Sequence, residues 1–371
     1  MFTDQDHAFM ARAIELAQEG LFTTTPNPRV GCVIVRDGAI VGEGSHKRAG
    51  EPHAEVLALA DARAHVGADG LVGTTAYVTL EPCNHFGRTP PCVTALLEAR
   101  VARVIAAMED PNPQVAGAGL AALRHAGIEV RCGLLRREAE ALNPGFIARM
   151  TRGTPWVRLK VAASLDGRTA LANGESQWIT GEAARADGHA WRARACAVLT
   201  GIGTVRDDDP QLNVRLVATP RQPLRVLVDS RLDVPLEAKL FNPTADAAPG
   251  VLVYCAQPDA AKAAELRARG VEIVELPNAR GKVDLPALFK DLGARKLNEI
   301  HVEAGEKLNG SLLREHCVDE VLAYLAPCLI GQGRGIAELP ALQSLDDRWR
   351  FALESVERVG DDVRILARVQ R

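Results

Sequence analysis

Three side chains constrain this fold most: His53, opening the stretch His53-Ala54-Glu55, and the thiols of Cys83 and Cys92, each reached through a proline. One imidazole and two thiols suit Zn²⁺, and a three-ligand set leaves a fourth coordination position free. Any fold that uses them must bring three separate segments to one point. Pro52 sets His53 at the start of an Ala/Leu-rich helix reaching about His65. Pro90-Pro91 sets Cys92 at a second helix start, where the positive end of the dipole favours a thiolate. Cys83 follows the strand-like run Tyr77-Val78-Thr79-Leu80. Two helix starts and a strand end can converge at one edge of a sheet. On a helix Glu55 points about 200° away from His53, which favours proton shuttling over ligation.

His-x-Glu followed by Pro-Cys and a second Cys is the skeleton of the zinc deaminase signature. The alternatives are a structural zinc with His85 as fourth ligand, or two buried cysteines beside an unrelated histidine. A departure also stands out, since the general pattern has two residues between its cysteines. Here Asn84-His85-Phe86-Gly87-Arg88-Thr89-Pro90-Pro91 intervenes, an excursion placed to act as a specificity loop.

The 371 residues suggest two domains. A formal charge of −3 provides no field for a nucleic-acid backbone, although a few local arginines can still hold a small anion. No apolar run reaches the ~18 residues of a membrane span, and the acidic Met1–Asp6 lacks a signal-peptide layout. Eight unpatterned cysteines fit a reducing compartment, so a cytoplasmic location is expected. Cys32, Cys132, Cys196, Cys255, Cys317 and Cys328 read as small core residues.

Thr3 and Asp6 predict a capping box for a helix through about Gln18. Thr25-Pro26-Asn27-Pro28 breaks the chain and is expected to hold Asn27 extended. Val30–Val35 reads as a buried strand, Asp37-Gly38 as a hairpin turn, and Ile40-Val41 as the return. Strands and helices then alternate through 132, predicting a three-layer α/β sandwich with a mixed sheet.

The blocks Thr25-Pro26-Asn27-Pro28 with Val30-Gly31, Gly50-Glu51-Pro52-His53-Ala54-Glu55, and Pro-Cys…Gly-Arg-Thr-Pro-Pro-Cys resemble the bifunctional riboflavin-biosynthesis deaminase/reductase family. In that family the longer Cys–Cys loop is the rule. The resemblance implies a cytidine-deaminase-like first half over 1–147 that deaminates 2,5-diamino-6-(5-phosphoribosylamino)pyrimidin-4(3H)-one. It implies one Zn²⁺ per chain on His53, Cys83 and Cys92, and Glu55 as proton donor. Asn27 and His46 become substrate contacts, against a bland reading as a turn residue and a solvated loop histidine.

Thr151-Arg152-Gly153-Thr154-Pro155 reads as a boundary, and strands near 156–162, 197–201, 224–229, 250–254, 271–275, 298–303 and 320–326 alternate with helices beyond it. Trp349–Val369 predicts a closing antiparallel hairpin about Gly360-Asp361-Asp362. Gly201-Ile202-Gly203-Thr204 lacks the third glycine of a dinucleotide fingerprint. A strand running into Ala304-Gly305 and a helix start predicts a phosphate cradle, and Gly331-Gln332-Gly333-Arg334-Gly335 a second loop carrying a cation.

Ser164-Leu165-Asp166-Gly167-Arg168-Thr169-Ala170, Gly174–Thr180, Asp208-Asp209-Pro210 and Val302–Gly305 resemble the reductase half of the same family. That resemblance implies a dihydrofolate-reductase-like α/β domain over 148–371 using NADPH to reduce the ribosyl chain to 5-amino-6-(5-phosphoribitylamino)uracil. Ala162, Trp178, Thr204, Asp208, Ser230 and the helix start Gly305, Glu306, Lys307, Leu308, Asn309, Gly310 and Ser311 would meet the cofactor. Ser176, Arg192, Leu212, Arg215 and Glu303 would meet the substrate; Arg192 and Arg215 suit a sugar phosphate. Lys160 could meet phosphate or sugar, and Trp178 either the nicotinamide or the core. The family also implies a homo-oligomer, with a small phosphorylated pyrimidine as its partner and neither nucleic acid nor membrane.

Two rivals remain: a deaminase of another base, nucleoside or tRNA with a non-reductase C-terminal domain, and a non-catalytic zinc scaffold or RNA-binding module. The acidic charge opposes tRNA, and Glu55 with a three-ligand set opposes the scaffold.

Overall fold

The computed structural model describes residues 1–86, 90–113, 115–243 and 250–370, and divides into two compact units, Met1–Gly153 and Thr154–Arg371. The first contains α1 (Asp4–Ala17), β1 (Gly31–Arg36), β2 (Ala39–Ser45), α2 (Ala54–Val66), β3 (Thr75–Val78), α3 (Cys92–Glu98), β4 (Arg103–Ala106), α4 (Ala118–His125), β5 (Glu129–Cys132), α5 (Arg136–Leu142) and α6 (Pro144–Arg152). Thr3 caps α1 through the expected box, its hydroxyl accepting from the Asp6 backbone and the Asp6 carboxylate accepting from Thr3 N–H.

The sheet runs β2-β1-β3-β4-β5, antiparallel at the hairpin and parallel from β3 onward. Glycine fixes which helix covers which face. A Cβ on Gly31 would stand 1.9 Å from the Ala13 carbonyl of α1, and one on Gly44 would stand 2.4 Å from the Ala54 carbonyl of α2. Cys32 pairs with Gly44, and strand residues alternate faces, so α1 and α2 cover opposite sides. Helices in close contact with both faces make the expected three-layer sandwich, over a core that includes Ile34, Leu96, Ile105 and Leu120.

The division between units departs from the 147/148 boundary implied by family resemblance. That cut falls inside α6, whose Phe146 joins the first core with Ile147 and Met150 packed against it. Apolar burial therefore assigns the helix to the first unit. Asn143, between α5 and α6, seals it by accepting from Arg29 N–H at 2.8 Å and donating to the Arg29 carbonyl at 2.9 Å.

The second unit contains β6 (Trp156–Ser164), β7 (Arg168–Leu171), α7 (Glu182–Arg194), β8 (Ala197–Gly201), α8 (Ile202–Asp208), β9 (Leu224–Val228), β10 (Val251–Cys255), α9 (Ala260–Ala268), β11 (Glu272–Glu275), α10 (Leu285–Ala294), β12 (Glu299–Val302), α11 (Glu306–Arg314), β13 (Glu320–Ala326), β14 (Gly333–Gly335), β15 (Phe351–Val359) and β16 (Asp362–Val369). Nine strands form one sheet ordered β11-β10-β9-β8-β12-β6-β13-β16-β15. It is parallel from β11 to β13 and closes with the predicted antiparallel hairpin at one edge. The sheet centre buries charge as well as hydrocarbon: Arg158 donates to Glu320 at 2.5 Å and Glu299 at 3.3 Å, and Arg194 donates to Glu299 at 2.8 Å. Arg158, Glu299 and Glu320 are almost wholly inaccessible, so their mutual neutralisation is a condition of folding.

All eight cysteines are free. Cys32, Cys196 and Cys255 are buried as expected, whereas Cys132 and Cys317 are half-exposed and Cys328 is exposed. Cys328 follows β13 in an irregular segment, which breaks the apolar run that suggested a core position. No described helix is long and apolar enough to cross a membrane.

Candidate active sites in the two units

In the first unit the three predicted ligands meet. His53 Nδ1 stands 3.2 Å from Cys92 Sγ and 3.6 Å from Cys83 Sγ, and the three ligand atoms lie within 4.8 Å of one another. Among the described residues this is the group able to hold a metal, and His85 is outside it. A soft His/Cys/Cys set with no fourth protein donor in the group fits zinc in an open site.

Two local readings need correction. His53 lies outside the helical turn, as the extended N-cap of α2 with φ −77° and ψ 164°, so helical spacing does not separate it from Glu55. Backbone direction at the cap does that instead. The start of α3 also serves a different sulfur: Cys92 N–H donates to Cys83 Sγ at 3.4 Å. Hydrogen bonding from Cys92, then His53, brings the Cys83 thiol down to about 4, while Cys83 and burial drive Cys92 up.

Glu55 is 3% exposed, and burial pushes its carboxyl up to about 7, which suits a group that takes up and releases protons near neutrality. Asn27 and His46 belong to the same cluster. Asn27 Nδ2 lies 3.1 Å from His46 Nε2, and His46 Nδ1 lies 3.1 Å from the Pro52 carbonyl. His46 is 2% exposed, and its ring stacks edge-on to His53 at 5.2 Å, so it is not a solvated loop residue. Asn27 sits in a turn, its N–H donating to Thr24 O at 2.8 Å, and the Thr25–Pro26 peptide is cis. The expected extended conformation is therefore replaced by a turn.

Sequence reading missed Asp110 and Glu81. Asp110 is half-buried and coupled electrostatically to His85 and Cys83; burial, with Glu81 adding, raises its carboxyl to about 6. Glu81 is buried and accepts from the backbone N–H groups of Asp110, Gly117, Gly119 and Leu120 at 2.7–3.3 Å. The available signal was Pro111-Asn112-Pro113, which repeats Pro26-Asn27-Pro28. Of the specificity loop, Gly87, Arg88 and Thr89 lie outside the described residues, and Phe86 is 82% exposed.

The second unit has a cleft of about 1740 Å³ across the carboxyl ends of its central strands. It gathers Ala162, Trp178, Thr204, Asp208 and Gly305–Asn309 from the cofactor set, and Ser176, Arg192, Leu212, Arg215 and Glu303 from the substrate set. Ser230, Gly310 and Ser311 do not line it. Ser230 accepts from Val283 N–H at 3.4 Å, and a Cβ on Gly310 would meet the Glu338 carbonyl at 2.0 Å, a packing requirement. Ser311 faces back along α11, donating to Lys307 O at 3.0 Å.

Gly305 caps α11 without a side chain, leaving a helix start suited to phosphate. This cradle and the cleft's volume fit a dinucleotide. Ser176 donates to Asp208 at 3.4 Å, and Arg334 of the second glycine loop pairs with Asp207 across the cleft mouth. Trp178 is 66% exposed beneath the Arg185 guanidinium, which settles it on the wall rather than in the core.

At the other end Arg192 grips Glu303 with two bonds, 2.5 and 2.7 Å, and donates to Asn213 O at 2.9 Å. Burial alone would raise the Glu303 carboxyl, but Arg192, His301 and Lys160 hold it well below the usual range. Burial lowers Lys160, and burial with Arg192 and Arg215 takes His189 down to about 4. Lys160 was legible as a strand residue of open role; His189, on α7, gave no sequence signal.

Two family models divide the chain as its units do: the cytidine and deoxycytidylate deaminase zinc-binding region matches residues 3–108, and the RibD C-terminal domain matches residues 155–365. The chain is thus an enzyme with a zinc-binding deaminase unit and a reductase unit, which implies zinc and a nicotinamide cofactor. A non-reductase tail is not favoured, given the second match. Riboflavin biosynthesis protein RibD of Escherichia coli is 48% identical over 97% of this chain and 98% of its own, and that of Haemophilus influenzae is 47% identical over 98% and 97%. RibD of Acinetobacter baumannii superposes with TM-score 0.87 at 44% identity, covering 99% of both chains. A Thermotoga maritima diaminohydroxyphosphoribosylaminopyrimidine deaminase/5-amino-6-(5-phosphoribosylamino)uracil reductase gives 0.85 at 34% identity, also over 99% of both chains. The chain belongs to the RibD family of bifunctional riboflavin-biosynthesis enzymes.

Proposed function

We propose that the first unit hydrolyses 2,5-diamino-6-(5-phosphoribosylamino)pyrimidin-4(3H)-one to the 5-amino-uracil and ammonia, and that the second reduces its ribosyl chain with NADPH to 5-amino-6-(5-phosphoribitylamino)uracil. The observation that carries this reading is the pairing of a His53/Cys83/Cys92 cluster beside buried Glu55 with a separate cleft ending at Arg192, Glu303 and Lys160. Zinc, when bound, supplies the Lewis acidity that makes water reactive at neutral pH. Glu55 takes a proton from the attacking water and returns it to the ring nitrogen. It then takes the remaining proton from the new hydroxyl on the tetrahedral carbon and passes it to the amine, so that the C–N bond breaks, the carbonyl forms and ammonia leaves. Asn27 and His46 orient the pyrimidine, and Asp110 adds a polar contact from the opposite loop.

In the second unit NADPH supplies the hydride. Arg215, with Arg192 behind it, attracts the sugar phosphate. Opening the sugar ring breaks C1′–O4′ and needs a proton on O4′; Lys160 is the ammonium at that end of the cleft. The start of α11 would hold the cofactor's phosphates, and Trp178 on the cleft wall would cover its nicotinamide end. Supplying the diaminopyrimidine substrate and following ammonia, then NADPH oxidation, tests the sequence of steps. Ammonia without subsequent NADPH consumption would defeat the second assignment, and active enzyme without zinc would defeat the first.

A further inference from the structure

We propose that Tyr324 is a positioning residue for Lys160, presenting its aromatic face to the ammonium and held in place by Asp187 and Arg364. The proposal rests on the reading of Lys160 given above. β6 and β13 are parallel neighbours in which Lys160 stands opposite Leu322 and Ala162 opposite Tyr324. Lys160 and Tyr324 are therefore diagonal neighbours on one face, within reach of long side chains. Lys160 Nζ lies 5.9 Å from the Tyr324 ring centroid, inside cation–π range. Among the described residues that ammonium makes no hydrogen bond or ion pair, while Arg192 bonds both Glu303 oxygens.

The ring cannot swing away. Tyr324 is 1% exposed, and its hydroxyl donates to Asp187 Oδ2 at 2.5 Å. Arg364 Nη1 bonds both oxygens of Asp187 at 2.9 and 2.8 Å, and its Nη2 donates to Glu357 at 2.7 Å. A chain of charge-assisted bonds thus runs from the edge hairpin, through α7, to the ring under the reacting end of the cleft. The groups facing Lys160 are Glu303 after β12, Arg192 and His189 on α7, and Tyr324 on β13. Of these, Glu303 and the ring favour the ammonium, and Arg192 opposes it.

Removing the ring face lowers the affinity of Lys160 for its proton. The alkaline limb of the reduction rate then moves to lower pH. Tyr324→Leu is expected to lower kcat for reduction on the order of 3- to 30-fold, the range of one cation–π contact, with KM little changed. Tyr324→Phe keeps the face and retains most of the rate. Replacing position 324 with progressively fluorinated phenylalanines preserves shape while draining the ring's negative face, and each fluorine should shift the alkaline limb further. This series covers the case in which Tyr324→Leu fails to fold. An unshifted limb and unchanged kcat across the fluorine series would overturn the positioning role. Lys160→Met separates that failure from failure of the underlying reading: if reduction survives this change, Lys160 itself is misassigned, whatever Tyr324 does.

Discussion

Glu55 is the proton-transferring carboxylate on which ammonia release should depend while reduction does not. Glu55→Gln keeps the side chain's size beside Cys92 and removes its proton exchange, so ammonia release should fall by roughly 10²- to 10⁴-fold. Zinc content by atomic absorption and NADPH oxidation with the deaminated intermediate should both match the parent. His189 and His301 carry a pH signature instead. Burial is the leading cause lowering both imidazoles, His189 to about 4 from an ordinary 6.5. As pH falls, the unfolded chain takes up these protons first, so the contribution is whole above pH 6.5 and lost towards pH 4. Thermal denaturation of the second unit should shift down by several degrees between pH 7 and pH 5, and His189→Gln should flatten that slope. The residues legible from sequence were those whose chemistry is restrictive in itself: His53, Cys83, Cys92 and Glu55. Asp110 and Tyr324 are ordinary residue types whose surroundings are set by neighbours distant in sequence, and spacing along the chain does not carry that information.

Elements set the precision of these sites. The approach of β2 to α2 leaves no room for a side chain at Gly44, and α2 carries His53 at its cap. Gly44→Val should push the helix outward, destabilise the first unit by about 1–3 kcal/mol, and reduce zinc occupancy, measured on the same purified sample. Glu81 has a similar place for the loop bearing Asp110. Glu81→Ala strands several backbone donors, each costing about 1–3 kcal/mol when buried without a partner, and should raise KM for deamination alongside the loss of stability. Element types were well predicted because the capping box at Thr3, the Asp37-Gly38 turn and the alternation of apolar runs all act locally. The helical placement of His53 erred because it depends on a single cap torsion.

At the scale of the molecule, two active sites of different chemistry sit in separately cored units. Chelation should abolish ammonia release and leave reduction of supplied intermediate at its original rate; loss of both together would contradict independent sites. The buried Arg158, Glu299 and Glu320 group makes the second unit vulnerable in a different way. Arg158→Ala leaves the inaccessible Glu320 without its cation and Glu299 with Arg194 alone, and should cost about 3–5 kcal/mol, read by urea denaturation followed through reductase loss. His53, Cys83 and Cys92 come from three different elements, 30 and 39 residues apart in the relevant pairs. No local fragment can assemble them. A chromogenic chelator that captures zinc only once it escapes would therefore act as a stopwatch for the opening of the first unit, in an intact chain whose other half remains closed and silent to the dye.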